Sequence, residues 1–361
     1  MAILTTSADK SAASPSLPQA SGAALRRLVF GFLGAGVAAL IAIMCLPADR
    51  AARFHLLRDT DYLKAGWIYD RIVVSKTPID VAVIGTSHTM NGVDSVLLEQ
   101  GLNDGGGPGL HVVNLALPHF GDDMHDLIAR LLIAAKKPRV LVIELLPLEA
   151  RAAHPAFGEL ADVGDLISAP WGNPEQFAAW ARLPRRQVRN FLATMTDESG
   201  PSDIADHWND TYYAMGRGGT KSPPRTTALA QPRLIREAAK ARESLHQKAQ
   251  SYAGNLGWLM WHYNETYLVS MIEHAKKNDV PVVFLYMPGF GTPEPAVPSA
   301  LPAAYGRILT PPAELLTDPT MWFDPEHLNY EGSKRLTFWL AGQLREMPPL
   351  SGYAATTAHG R

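Results

Sequence analysis

Four short runs in this chain are dense in Val, Ile and Leu, and each is bounded by Pro, Gly or polar residues. They are Ile79–Thr86, His111–Leu117, Arg139–Leu146 and Val280–Met287. Runs this short and this apolar suit strands buried on both faces, the condition of a parallel sheet. Helical spacing fills the gaps. In Asp122–Lys137 the apolar positions are Met124, Leu127, Ile128, Leu131, Leu132 and Ala135. Asp122 and Asp123 suit that helix's N-terminal dipole, and Lys136 and Lys137 suit its end. Asn264–Asp279 carries Leu268, Met271, Ile272 and Ala275, and Glu331–Leu344 carries Leu336, Trp339, Leu340 and Leu344. Strand and helix alternate, which predicts an α/β fold built on a doubly wound parallel sheet.

Residues 148–263 break the rhythm. They hold Trp171, Trp180, Trp208, Trp258 and Trp261, several arginines and Pro-rich turns. A mostly helical insertion between the third and fourth strands is expected, either shaping a groove over the sheet's C-terminal edge or simply packing there. Arg182, Arg185, Arg186 and Arg189 within it read as a solvated helix face, with an anionic glycan or a membrane surface as the alternative. Gly216-Arg217-Gly218-Gly219-Thr220-Lys221-Ser222 has the look of a phosphate loop. It lacks a glycine before the lysine, and Pro223-Pro224 forbids the helix such a loop must open. The glycines between Gly101 and Gly109 mark a loop between a helix and a strand.

The N-terminus bears on topology. Residues 1–25 are rich in Ser, Ala and Pro and read as a disordered tail. Leu28–Leu46 is then a run of 19 residues without a charge, enough to span an apolar bilayer core of about 30 Å. An uncleaved anchor over residues 26–46 is expected. A cleaved signal peptide and a buried apolar helix are the alternatives; no small-residue cleavage site follows Leu46. Lys10, Arg26 and Arg27 favour a cytoplasmic N-terminus, against which Arg50 and Arg53 weigh on the other flank. Residues 47–78 read as a juxtamembrane helix and linker, 79–345 as the main domain and 346–361 as a flexible tail.

Ser87 follows the first strand run directly, at Gly85-Thr86-Ser87-His88. Far along the chain, Asp324-Pro325-Glu326-His327 sets a carboxylate three residues before a histidine. A serine hydroxyl attacks a carbonyl only when an imidazole takes its proton, and a carboxylate holds that imidazole in the useful tautomer. Strand ends in α/β sheets are where such sites assemble. His88 reads as structural or groove-lining. His119, Asp122, Asp123 and His125 could be taken for metal ligands, but a helix N-terminus accounts for the acids, and neither metal nor organic cofactor is expected. A net charge of −2 gives no electrostatic case for nucleic acid, and one cysteine, Cys45, excludes an intrachain disulfide framework.

These blocks resemble the SGNH (GDSL-like) hydrolase superfamily over roughly residues 79–147 and 264–345. Within it, the likeness is to membrane-anchored members that accompany polysaccharide or teichoic-acid acylation, such as the D-alanyl-lipoteichoic acid biosynthesis protein. The resemblance implies a three-layer, flavodoxin-like sheet, with Ser87 as nucleophile, His327 as general base and Asp324 as the orienting acid. Thr86 stands where better-known members have Asp. Leu328-Asn329-Tyr330-Glu331-Gly332 strengthens the match with the anchored subset. The superfamily's second block is matched by Val113-Asn114-Leu115-Ala116-Leu117-Pro118, with His119 where a glycine is expected and Gly121 two residues on. The third strand ends Glu144-Leu145-Leu146-Pro147, without the block's asparagine. Asn114, the Ser87 N–H and the backbone at His119 remain as oxyanion donors. The implied activity is transfer or removal of an acyl group, acetyl foremost, on a cell-envelope or secreted polysaccharide. An integral-membrane acyltransferase is the implied partner. The alternative is a non-catalytic scaffold or glycan-binding subunit.

Overall fold

The computed structural model describes residues 22–104, 109–146, 153–170, 174–196, 204–208, 228–252, 257–292 and 306–351. The chain divides into two units, one ending at Leu46 and one beginning at Pro47. The first contributes helix α1 (Gly22–Met44), the single described helix long and apolar enough to cross a membrane. Its 23 residues make a rod of about 35 Å at 1.5 Å per residue.

The second unit is built on a five-stranded sheet, all parallel, in the order β2-β1-β3-β4-β5. The strands are β1 (Val81–Ile84), β2 (Val112–Asn114), β3 (Val140–Leu145), β4 (Val282–Tyr286) and β5 (Arg307–Leu309). The first four fall inside the four apolar runs. The fifth is three residues long, with Arg307 exposed, and has no apolar run to announce it. The chain reverses direction across the sheet at β1, so the ends of β1 and β3 form the switch point where ligands bind in open α/β sheets.

Alternate strand residues face opposite layers. Val81, Val83, Val140, Val142, Val283 and Leu285 pack with Leu98 and Leu102 of α5 (Ser95–Asn103) and with Leu336, Leu340 and Leu344 of a long C-terminal helix, Tyr330–Arg345. On the other face α6 (Asp122–Ala135) lies against β1. It also packs on the helix Gly257–Lys277, which touches β4. The architecture is therefore α/β/α, with its core on both sides of the sheet.

Two expectations are corrected. The helix expected in residues 47–78 is present, but the segment is not a linker, because it belongs to the compact unit that begins at Pro47. These residues form α2 (Arg50–His55), α3 (Lys64–Tyr69) and one π-helical turn (Asp70–Val74), and Phe54, Leu57, Ala65, Ile68 and Ile72 are buried. Their apolar side chains repeat at helical spacing and pack into the compact unit, which a free linker would not do. The tail from residue 346 begins as a short helix, Pro348–Ser351, with Met347 and Leu350 in the core. Within the insertion, the described parts are helical: α7 (Phe157–Leu160), α8 (Val163–Ser168), α9 (Pro174–Met195) and α10 (Gln231–Tyr252). The phosphate-loop-like segment 216–222 and Trp171 lie outside the described residues, as do residues 1–21 of the expected tail.

Candidate functional site

Strand β1 ends at Ile84, and Gly85 and Thr86 turn the chain into α4 (Ser87–Gly92). The Thr86 backbone is extended, and its hydroxyl accepts the His88 N–H at 3.1 Å, the arrangement of a helix N-cap. Ser87 is thereby the first residue of a short helix at the rim of the sheet. The turn is locked from below by Glu144, near the end of β3. Its buried carboxylate accepts the Thr86 N–H and, at 2.9 Å, the Thr86 hydroxyl. Gly85 is required by this contact, since a Cβ there would overlap the Glu144 carboxylate. Burial pushes the Glu144 carboxyl upward, and the Thr86 N–H works against that shift.

The other half of the site lies between the 3₁₀ turn Pro319–Met321 and the helix Tyr330–Arg345. An antiparallel bridge from Trp322 to Leu328 pinches the loop at its base, and the Phe323 N–H donates to the His327 carbonyl at 2.9 Å. Inside the loop, Asp324 Oδ1 accepts the N–H groups of Glu326 and His327, each at 2.8 Å. The loop is tied to the segment after β4 by the Phe290 N–H, which donates to the Pro325 carbonyl at 2.8 Å. Asn329 caps the following helix by accepting the Gly332 N–H at 3.0 Å, and its amide donates to the Thr320 carbonyl at 2.6 Å. Gly332 approaches the Met321 carbonyl so closely that a Cβ would overlap it. The segment Leu328-Asn329-Tyr330-Glu331-Gly332 thus fixes where the loop sits.

These two halves meet. Ser87 Oγ lies 2.9 Å from His327 Nε2, and His327 Nδ1 lies 2.8 Å from Asp324 Oδ2. With Nδ1–H donating to the carboxylate, Nε2 is the acceptor for the serine hydroxyl. Burial works to raise the Asp324 carboxyl, but the hydrogen bond and charge of His327, with the two loop N–H groups, outweigh it and hold the carboxyl below its ordinary value. Asp324 is therefore ionised at neutral pH. The imidazole and carboxylate are partly open to solvent, at 20% and 34% side-chain exposure, so the hydroxyl can be approached.

His88 packs its ring against His327, with centroids 5.4 Å apart. Burial, reinforced by the neighbouring His327, holds it down at about 3. It is a neutral wall beside His327. Asn114 does not fill the donor role expected of it. Its two amide hydrogens go to the carbonyls of Thr89 at 3.0 Å and Val93 at 2.7 Å, and its oxygen accepts the Ala116 N–H. It ties α4 to β2 and keeps no hydrogen for a ligand. Gly121 is likewise structural: it is buried, and a Cβ would overlap His154 and Asp123.

His119 is exposed and holds φ of 68°. This is the left-handed region that glycine occupies readily and that costs other residues about 1 kcal/mol. The backbone conformation expected of a glycine at this position is present, carried by a histidine. The loop is held by His154, whose Nε2–H donates to the Pro118 carbonyl at 2.7 Å, and by Tyr62, whose ring stands between His119 and His154. The N–H groups of Ser87 and His119 have no hydrogen-bond partner among the described residues.

Asp122, Asp123 and His125 occupy the first turn of α6. No group of three His, Cys, Asp or Glu gathers as metal ligands would among the described residues. Asp123 instead pairs with His154. Its carboxyl accepts the His154 N–H at 3.0 Å and the Tyr263 hydroxyl at 3.1 Å. Burial pushes Asp123 up to about 7 and holds the His154 ring down at about 3. Between about pH 4 and 6.5, folded Asp123 keeps a proton and folded His154 has none, whereas the unfolded chain reverses this. The proton count is equal in the two states, so the pair adds almost no pH dependence. Asp123→Asn removes one side of the balance. Unfolded His154 then binds a proton that the folded chain refuses. Stability is expected to fall as pH drops from about 6.5 towards 3, by up to about 1.4 kcal/mol per unit. Urea midpoints at pH 7 and 5 check this: the variant should lose more than the parent, and equal losses contradict the pairing.

Comparison with family models, with curated proteins and with solved structures finds no match. The functional reading therefore rests on the site's own geometry.

Proposed function

We propose that this chain is a membrane-anchored serine acyl-ester enzyme of SGNH type. In this reading it acts outside the cytoplasmic membrane to transfer an acyl group, acetyl foremost, to or from an envelope or secreted polysaccharide. The observation that carries the proposal is the continuous path from Ser87 Oγ to His327 Nε2 at 2.9 Å and from Nδ1 to Asp324 at 2.8 Å. Such a path is what a serine needs to become a nucleophile at neutral pH.

The chemistry divides into two steps. Ser87 Oγ bonds to the acyl carbonyl carbon while His327 Nε2 takes the hydroxyl proton. The ester C–O bond then breaks, and His327 returns that proton to the departing oxygen. In the second step water or a sugar hydroxyl gives its proton to His327 and attacks the acyl-serine, and Ser87 leaves with the proton restored. Asp324 stabilises the imidazolium formed in each step. The oxyanion would be met by the N–H groups of Ser87 and His119, in the absence of a side-chain donor from Asn114. One missing donor costs about 10²–10³ in rate, which suits an enzyme that passes acyl groups to a fixed acceptor. For transfer, the acyl donor would come from an integral-membrane acyltransferase partner.

The second reading is a non-catalytic scaffold or glycan-binding subunit, and two observations favour it: β3 ends at Leu145 with no asparagine following in Leu146-Pro147, and Asn114 is consumed internally. Ser87→Ala separates the two. It removes one partly exposed hydroxyl and leaves the scaffold intact. A cell carrying Ser87→Ala in place of the native gene should lose most acyl ester from its surface polysaccharide, measured after alkaline release. Acylation at the native level would reject the enzyme reading in favour of the scaffold.

A further inference from the structure

We infer that the exposed face of α9 is a membrane-docking surface that lies on the anionic bilayer holding α1. The inference rests on α1 being an anchor. At 100° per residue, the exposed residues of α9 sort into two adjoining stripes. Phe177, Val188, Leu192 and Met195 form one, and Arg182, Arg185 and Arg189 form the other. Leu192 and Met195 are 56% and 67% exposed. Large apolar side chains this open, on a helix otherwise seated in the domain, need a covering surface. Arg182 and Arg185 have no acidic partner among the described residues, whereas Arg189 pairs with Glu159. Apolar residues beside arginines on one helix face are the composition of a helix at the bilayer interface, where guanidinium groups meet lipid phosphates.

Chain connectivity says which surface is within reach. Asp49 follows Met44, the last residue of α1, by five positions, so the chain can carry it no more than about 18 Å away. The Asp49 N–H donates to Thr194 Oγ1 at 3.0 Å. Thr194 is the neighbour of Met195, so the C-terminal end of α9 is fastened to Asp49, five positions along the chain from the last residue of α1. Asp162, which caps α8, accepts from both Arg50 and Arg53 of α2, so the neighbouring helix of the insertion is tied to α2 as well. A groove of about 250 Å³ lies between the two helices, lined by His55, Arg58, Arg189 and Leu192 among others, so the basic stripe is on the α2 side. The bilayer is the one extended surface that the chain itself must bring to this helix.

The test uses the full chain, reconstituted into vesicles of phosphatidylglycerol and phosphatidylcholine. In a Cys45→Ser background, single nitroxide labels are placed through Leu192→Cys, Met195→Cys and Phe338→Cys, the last on the exposed face of Tyr330–Arg345. Collision with oxygen and with a water-soluble nickel chelate is then compared. Labels at 192 and 195 should meet oxygen several-fold more readily than the chelate, and the label at 338 should show the reverse. Labels at 192 and 195 that read like 338 overturn the inference, and so do labels shielded from both reagents, because those are covered by protein. Retention through an alkaline carbonate wash reads the anchor separately. A retained chain with aqueous labels defeats docking alone, and a chain lost in the wash defeats the anchor and docking together.

Discussion

His327→Ala is expected to slow the reaction of this chain with a fluorophosphonate probe by about 10⁶-fold, the scale on which a serine triad responds to loss of its base. Without an imidazole at 2.9 Å, the Ser87 hydroxyl keeps its proton at neutral pH and is a poor nucleophile. The substitution spares the loop, because the Phe323 N–H donates to the backbone carbonyl of residue 327 and the Trp322–Leu328 bridge involves neighbouring residues. A folded variant that reacts within about tenfold of the parent would mean that His327 is not the base. His88, the other imidazole at the site, would be the next residue to replace.

Glu144→Ala should have the largest effect on stability of any single change at the site, about 2–4 kcal/mol. It deletes the acceptor of the Thr86 N–H and hydroxyl, both buried, and leaves a void beside Gly85. For a domain of this size the thermal midpoint should drop by about 5–10 °C. Glu144→Gln keeps the volume and one acceptor oxygen, so it should fall between the parent and the alanine variant. Its probe reactivity should recover in the same order, because Glu144 acts on Ser87 through the position of Thr86. A Glu144→Ala midpoint within about 1 °C of the parent would show that the turn stands without its buried carboxylate.

Much of this was legible from residue order. The strands β1 to β4 betray themselves because burial on both faces leaves room for little besides Val, Ile and Leu. That Ser87, Asp324 and His327 come together is legible in the sequence because the proposed chemistry requires that combination at a strand end and beside a helix. Glu144 was missed, although a lone carboxylate inside the apolar run 139–146 is a signal of its own. Such a group is tolerated in a core only with hydrogen-bond donors; Thr86 supplies them, and Gly85 leaves the room for the carboxylate. Asn114 was read as a donor to substrate because its position in the second block suggested it, but no residue order shows that two helix carbonyls already take both hydrogens. The helix in residues 47–78 is expected from the sequence, but its packing is not: Phe54, Leu57, Ile68 and Ile72 supply a buried face, where a linker would leave them in water. Strand β5 could not be found at all. Three residues with one side chain in water carry no periodicity, and their pairing with β4 decides their state.

The most direct test of the central claim is the residue that carries the adduct after the full chain reacts with a fluorophosphonate probe. Peptide mass mapping should place the phosphonyl group on Ser87, with no adduct in Ser87→Ala. Modification of another residue, or none while a reference serine esterase reacts in the same tube, would contradict a nucleophile at the end of β1.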